Sequence, residues 1–215
     1  MKSRLSSIAI FSVCLVHLSC AEKSETSTAP SAPEAAAVSP ASPLKIMPRS
    51  AGDKLEKTPI GLKPHKNGKI TNIVIHHTGP PNPVSEDAQK PPAHIDSIHK
   101  HHTKKNGWKD LAYHYFVATD GTIYRGRSEQ FQPDSGAPYP MDGTLAIVML
   151  GDYSNTLPSQ ATLSLLVKLV RDRSSVHGLQ GAPISTHKGA GGNTTCPGPK
   201  IQQWFDSIDK NQMIL

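Results

Sequence analysis

The 215-residue sequence contains only three cysteines, too few to build a disulfide framework, so a disulfide-stapled miniprotein is excluded. It has no run of about 18 apolar residues, which excludes a polytopic membrane protein. Aromatic residues are 5% of the chain, and no base-stacking platform is evident. Its basic residues are dispersed and no nucleic-acid reading motif occurs, so no nucleic-acid partner is expected. A His-Glu-x-x-His pair is also missing, which argues against a peptidase of that class. What remains is 36% hydrophobic and 19% charged, with a formal charge of +6. That balance fits a globular body with a polar extension, and its modest positive charge suits anionic envelope polymers.

Residues 1–20 read as an export signal. Lys2 and Arg4 form a positive start, and Ile8 to Leu18 is an apolar stretch too short to span a bilayer as a mature helix. It ends in Leu18-Ser19-Cys20-Ala21, which is similar to a bacterial lipobox with Cys20 as the lipidated residue. His17 and Leu18 depart from that pattern, and an ordinary signal peptide cut near Ala21 is the alternative. Both readings export the chain; lipidation would make it a membrane-anchored lipoprotein of the periplasm or cell envelope. Residues 21–60 are Ala/Pro/Ser-rich and read as a linker, because they carry too little apolar surface to offset their ordering entropy. Residues 61–215 read as one folded domain.

Within that domain β-branched and helical patterns alternate. Ile70, Ile73, Val74 and Ile75 predict a buried strand that runs into His76 and His77. Pro80 to Pro92 is a loop with five prolines. A helix is predicted over Ala93–Lys105, with Ile95 and Ile98 inward and Asn106-Gly107 at its end. Tyr113–Thr119 and Thr122–Arg125 flank Asp120-Gly121 as a hairpin. Leu145–Leu150 predicts a third apolar strand. Ser159–Val176 predicts the strongest helix, Ala182–Ser185 a short strand, and Pro199–Ile208 a last helix. The fold class is α/β, a single domain with a central mixed sheet flanked by helices.

Three ligand candidates sit at element ends: His76, His187 and Cys196. Neighbours on a strand point to opposite faces, so His76 and His77 cannot both serve one site from a regular strand. His187 and Cys196 bracket a Gly-rich loop that can fold back and bring both onto one ion. Two imidazoles and a thiolate form a borderline-soft set suited to Zn²⁺, and three protein ligands leave the open position of a catalytic site. Coordination would also explain a cysteine with no disulfide partner in the domain. The plainer reading is a buried thiol with two capping histidines, and the spacing alone leaves both open.

Four segments together resemble the type-2 N-acetylmuramoyl-L-alanine amidases, a family that includes phage lysozyme-type amidases and peptidoglycan recognition proteins. They are Ile73-Val74-Ile75-His76-His77-Thr78, Asn106-Gly107-Trp108-Lys109-Asp110-Leu111-Ala112-Tyr113-His114-Tyr115, Asp120-Gly121-Thr122-Ile123-Tyr124-Arg125-Gly126-Arg127, and Thr186-His187 through Thr194-Thr195-Cys196-Pro197-Gly198. They follow the family order and cover about residues 68 to 210. The resemblance implies one zinc per chain held by His76, His187 and Cys196. It implies Tyr113 as the active-site tyrosine, and Thr194 at the position two before the cysteine ligand. It implies hydrolysis of the amide between N-acetylmuramic acid and L-alanine in peptidoglycan or muropeptides. A non-catalytic peptidoglycan-binding module of the same fold is the alternative.

Arg125 and Arg127 are expected to meet stem-peptide carboxylates or to be solvated strand positions. His77 reads as structural. His94, His99, His101 and His102 read as an exposed helix face rather than a second metal site, with His102 packing near Trp108. Glu129, Asp134 and Asp142 are carboxylates that could serve as a base. The family often carries a His-Ala-Gly-like segment before the third strand; here it is Asp134-Ser135-Gly136-Ala137, without the histidine. The protein is expected to be a monomer.

Overall fold

The computed structural model describes residues 44–48, 59–79 and 90–214. The export signal, Cys20 and most of the Pro80–Pro92 loop lie outside the described residues. The described strands are β1 (Ile46–Met47), β2 (Asn72–His77), β3 (Tyr115–Val117), β4 (Ile123–Arg125), β5 (Thr144–Met149) and β6 (Ile184–Thr186). They form one mixed sheet in the order β1-β4-β3-β5-β2-β6. Only β3 and β4, joined through Asp120-Gly121, pair antiparallel; the other four pairings are parallel. The helices are α1 (Pro91–Lys100), α2 (Gln160–His177) and α3 (Pro199–Ser207), with a short 3-10 turn at Lys210–Met213. This is the α/β domain that the alternating patterns predicted. None of the described helices is long and apolar enough to cross a membrane.

The sheet is buried on both faces, which is why β2 carries the unbroken apolar run Ile73-Val74-Ile75 and β5 is apolar from Leu145 to Met149. On one face Ile73, Ile75, Val117, Ile147 and Met149 meet Leu163, Leu166 and Val170 of α2 and Ile201 and Phe205 of α3. On the other, Phe116, Val148 and Leu150 meet Ile95 and Ile98 of α1. Glu129, in the segment after β4, ties β3 to α2: its Oε1 accepts the Tyr115 hydroxyl at 2.5 Å, and His177 Nε2 lies 3.0 Å from its Oε2. The α2 helix begins at Ser159, whose hydroxyl accepts the Thr162 N–H. It ends at Gly178, where φ is 64°, a value that costs a side-chain-bearing residue energy.

Two elements differ from the pattern reading. Residues 44–48 fall in the stretch read as linker, yet Ile46 and Met47 add β1 alongside β4, with Leu44 and Ile46 packed against the α2-face core. A two-residue strand between prolines offers too little alternation to be recognised. The helix expected over Ala93–Lys105 is α1 followed by a π-helical turn, His101–Lys105, where the Asn106 N–H reaches back five residues to the His101 carbonyl.

Candidate metal centre

His76 occupies the fifth position of β2. Its register partner is Val148 of β5, so its ring lies on the α1 face of the sheet with Phe116 and Val148. His187 follows β6 directly. Thr186 pairs with Ile75, and the His187 N–H donates to the Ile75 carbonyl at 3.0 Å, which carries the register forward and sets His187 beside His76. The ring centroids are 4.7 Å apart. The Gly-rich loop then folds back: the Gly192 N–H donates to the His187 carbonyl, and the Lys188 N–H to the Cys196 carbonyl. Gly192 lies so close to the imidazole that a Cβ there would fall 2.5 Å from His187 Cδ2, so the loop needs glycine at that point.

One ligand atom from each of His76, His187 and Cys196 lies within 4.8 Å of the others. Zn–S near 2.3 Å and Zn–N near 2.0–2.1 Å place sulfur and nitrogen donors of a tetrahedral ion about 3.6 Å apart. His76 Nδ1 and Cys196 Sγ are 3.6 Å apart. The residues therefore fit zinc in type and spacing. Burial and the neighbouring His187 hold His76 well below the usual histidine range, and burial lowers His187 as well. Both imidazoles are neutral at neutral pH, the form that has a lone pair to offer. Burial pushes the Cys196 thiol up to about 12, opposed by a backbone hydrogen bond from His77, whose N–H donates to Sγ at 3.4 Å.

Tyr113 is half-buried beside the pair, its ring centroid 5.1 Å from that of His76. Burial raises its phenol above the ordinary range, so it stays protonated. The Thr194 hydroxyl accepts the Cys196 N–H at 3.1 Å and braces the ligand loop. His77 points to the other face, where its Nδ1 accepts the Tyr153 N–H at 3.2 Å. The exposed face expected of the four histidines around α1 does not hold for two of them: His94 and His102 are turned inward and buried. His102 accepts the Ala112 N–H and packs on Trp108 at 4.7 Å and on Tyr113 at 5.8 Å. Trp108 thus anchors the turn that leads to Tyr113.

The two arginines are not brought to the site. Arg125 pairs with Tyr115, whose ring faces α2, so Arg125 lies on the sheet face opposite His76. Arg127 is only 2% exposed and is neither solvated nor turned to a cleft. Its guanidinium donates to the carbonyls of Leu111 at 2.6 Å and Asp110 at 3.3 Å, to the Gln132 carbonyl, and to Asp134. It fastens the stretch before Tyr113 to the loop after β4. The three carboxylates weighed as a base have structural partners: Glu129 has Tyr115 and His177, Asp134 has Arg127, and Asp142 accepts the Lys66 N–H.

Residues 135–139 back the ligands; the sequence marks Ser135-Gly136-Ala137 only as the counterpart of the family's His-Ala-Gly-like segment, and Tyr139 not at all. The Ala137 carbonyl lies 2.7 Å and Ser135 Oγ 3.2 Å from His187 Nε2. The Tyr139 hydroxyl lies 3.0 Å from His76 Nε2, and its ring stands 5.5 Å from His76 and 4.9 Å from His187. The only signal for Tyr139 itself was its place between Pro138 and Pro140 in a stretch with no periodic pattern.

A family model described as N-acetylmuramoyl-L-alanine amidase matches residues 66–199. The chain is 29% identical to the human N-acetylmuramoyl-L-alanine amidase over 100 residues, 46% of this chain and 16% of that protein. It is 26% identical to the rat peptidoglycan recognition protein 1 over 134 residues, 62% of this chain and 66% of that one. It therefore spans less than two thirds of the length of these relatives. Its fold is similar to that of Drosophila PGRP-LB, with a TM-score of 0.65 and 22% identity over 76% of this chain and 94% of the other. It is also similar to peptidoglycan recognition protein-LE in complex with tracheal cytotoxin, with a TM-score of 0.63 and 23% identity over 76% and 93%.

Proposed function

The chain belongs to the N-acetylmuramoyl-L-alanine amidase family, and from that premise we propose that it is a zinc amidase. Its substrate would be the amide joining N-acetylmuramic acid to L-alanine in peptidoglycan or muropeptides. The observation that carries the reading is the convergence of His76, His187 and Cys196 beneath Tyr113. Peptidoglycan is the substrate class that family membership itself suggests, and a similar protein is known in complex with tracheal cytotoxin, a monomeric peptidoglycan. Export through residues 1–20 and lipidation at Cys20 belong to the same proposal, and would place the domain where peptidoglycan is found.

His76, His187 and Cys196 would hold the ion, one per chain. Bound there, zinc supplies Lewis acidity, which acidifies water and polarises a carbonyl oxygen. The protein supplies the rest. Its neutral imidazoles need no deprotonation to bind, whereas Cys196 must lose a proton, helped by the His77 N–H directed at its sulfur. Metal affinity therefore falls as the pH falls. Tyr113, kept protonated by burial, donates a hydrogen bond to the oxygen that gains charge as the amide carbon becomes tetrahedral. One such donor is worth about 3 kcal/mol in the transition state. The Thr194 oxygen accepts the Cys196 N–H, which leaves its O–H to donate toward the same region.

Two measurements test the reading. Zinc content of the full chain is expected near one per chain, and Cys196→Ala is expected to lose it. Digestion of purified peptidoglycan by the zinc-loaded chain is expected to release intact stem peptides. Binding without release would replace the amidase with a recognition module, and cleavage within the stem would replace it with a peptidase.

A further inference from the structure

The Nε2 atoms of both histidines find their partners in one short segment of chain. His187 Nε2 lies 2.7 Å from the Ala137 carbonyl oxygen. A carbonyl can only accept, so Nε2 carries the hydrogen and donates, and the lone pair of this neutral ring is on Nδ1. Ser135 Oγ, 3.2 Å away, shares that hydrogen while its own O–H donates to the Ala137 carbonyl at 2.9 Å. His76 Nδ1 is the nitrogen that stands 3.6 Å from Cys196 Sγ, and the atom opposite it, Nε2, stands 3.0 Å from the Tyr139 hydroxyl. Ser135, Ala137 and Tyr139 belong to one short segment that runs behind both rings. Tyr139 is 8% exposed and its ring lies against both imidazoles.

We propose that Tyr139 is a positioning residue of the metal centre. Its oxygen accepts the Nε2–H of His76, which fixes Nδ1 as the ligand atom and holds the ring at the angle that the other two donors require. The segment 135–139 thus sets the same tautomer on both histidines, through a backbone carbonyl for His187 and through a side chain for His76. Only the second of these can be removed by substitution, so Tyr139 is the point at which the arrangement is tested. The inference rests on the zinc reading above.

Hydrogen-bond partners of this kind change metal affinity 10–100-fold when removed. Tyr139→Phe deletes one oxygen and leaves the ring against both imidazoles. In the full chain, zinc affinity measured by competition with a chromophoric chelator is expected to weaken about 10–100-fold. The visible spectrum of the Co²⁺-loaded variant is expected to shift, because the ligand field changes with the angle of the His76 ring. Thermal unfolding of the metal-free variant beside the metal-free parent separates this from a loss of folding. A second measurement needs no variant: long-range ¹H–¹⁵N spectra of the zinc-loaded parent are expected to show His76 protonated at Nε2 and metal-bound at Nδ1. Unchanged zinc affinity with an unchanged cobalt spectrum would overturn the role of Tyr139 while leaving the zinc amidase standing. Coordination of His76 through Nε2 would overturn it as well. A parent chain that binds no zinc would overturn both this inference and the proposed function.

Discussion

Replacing Tyr113 by Phe takes one oxygen from the wall of the site and leaves the metal ligands untouched. If Tyr113 donates to the developing oxyanion, kcat for muropeptide hydrolysis should fall about 10²-fold or more while zinc content stays at the parent level. A rate within twofold of the parent would return Tyr113 to a packing role against His76, His102 and Phe116. At this scale the sequence was most legible where chemistry is scarce. A lone cysteine in the domain and two histidines at strand ends stand out, and the structure places all three together. Arginine is a common residue with many uses, and nothing local distinguishes Arg127, buried and bonded to three carbonyls, from a residue turned to substrate.

The elements around the site are held by a few polar ties, and Arg127 is the most consequential. Its guanidinium joins Asp110 and Leu111 to Gln132 and Asp134, and its backbone N–H donates to the Tyr113 carbonyl at 2.8 Å. Arg127→Ala leaves those buried carbonyls unpaired and is expected to cost roughly 3 kcal/mol. Lysine in its place should recover little, because one ammonium cannot span four acceptors in the plane of a guanidinium. Urea unfolding midpoints of the three proteins check this; a loss under about 1 kcal/mol for alanine would contradict the bracing role. The helices and apolar strands were readable from their periods. The exceptions were β1, too short to have a period, and the π-helical turn after α1, which has the composition of a helix but a different hydrogen-bond span.

The molecule as a whole carries buried histidines that must stay neutral, and this makes its stability depend on pH. Burial lowers both His102 and His114 to about 4. The unfolded chain takes up these protons near pH 6.5, whereas the folded chain resists until about pH 4. Stability is therefore full above about 6.5 and falls as the pH drops through that window, by up to about 3 kcal/mol for each group. Burial lowers His76 and His187 too, which acts in the same direction. The denaturation midpoint of the metal-free chain should be clearly lower at pH 5 than at pH 7, and a flat profile would contradict the burial of these rings as neutral species. Zinc should raise the melting temperature at pH 7 by on the order of 10 °C when present at about a thousandfold excess over its dissociation constant, and a chelator should reverse it. By itself the sequence determined which residues could be ligands, where the apolar periods lie and which family the domain resembles, because these depend on residue type and short-range spacing. The tertiary structure decided which nitrogen of His76 faces the sulfur, that Arg125 and Arg127 stay away from the site, and that Tyr139 stands behind His76 across 63 residues of chain. Those outcomes follow from strand register and from loops packed against one another, and no local pattern encodes contacts between segments so far apart.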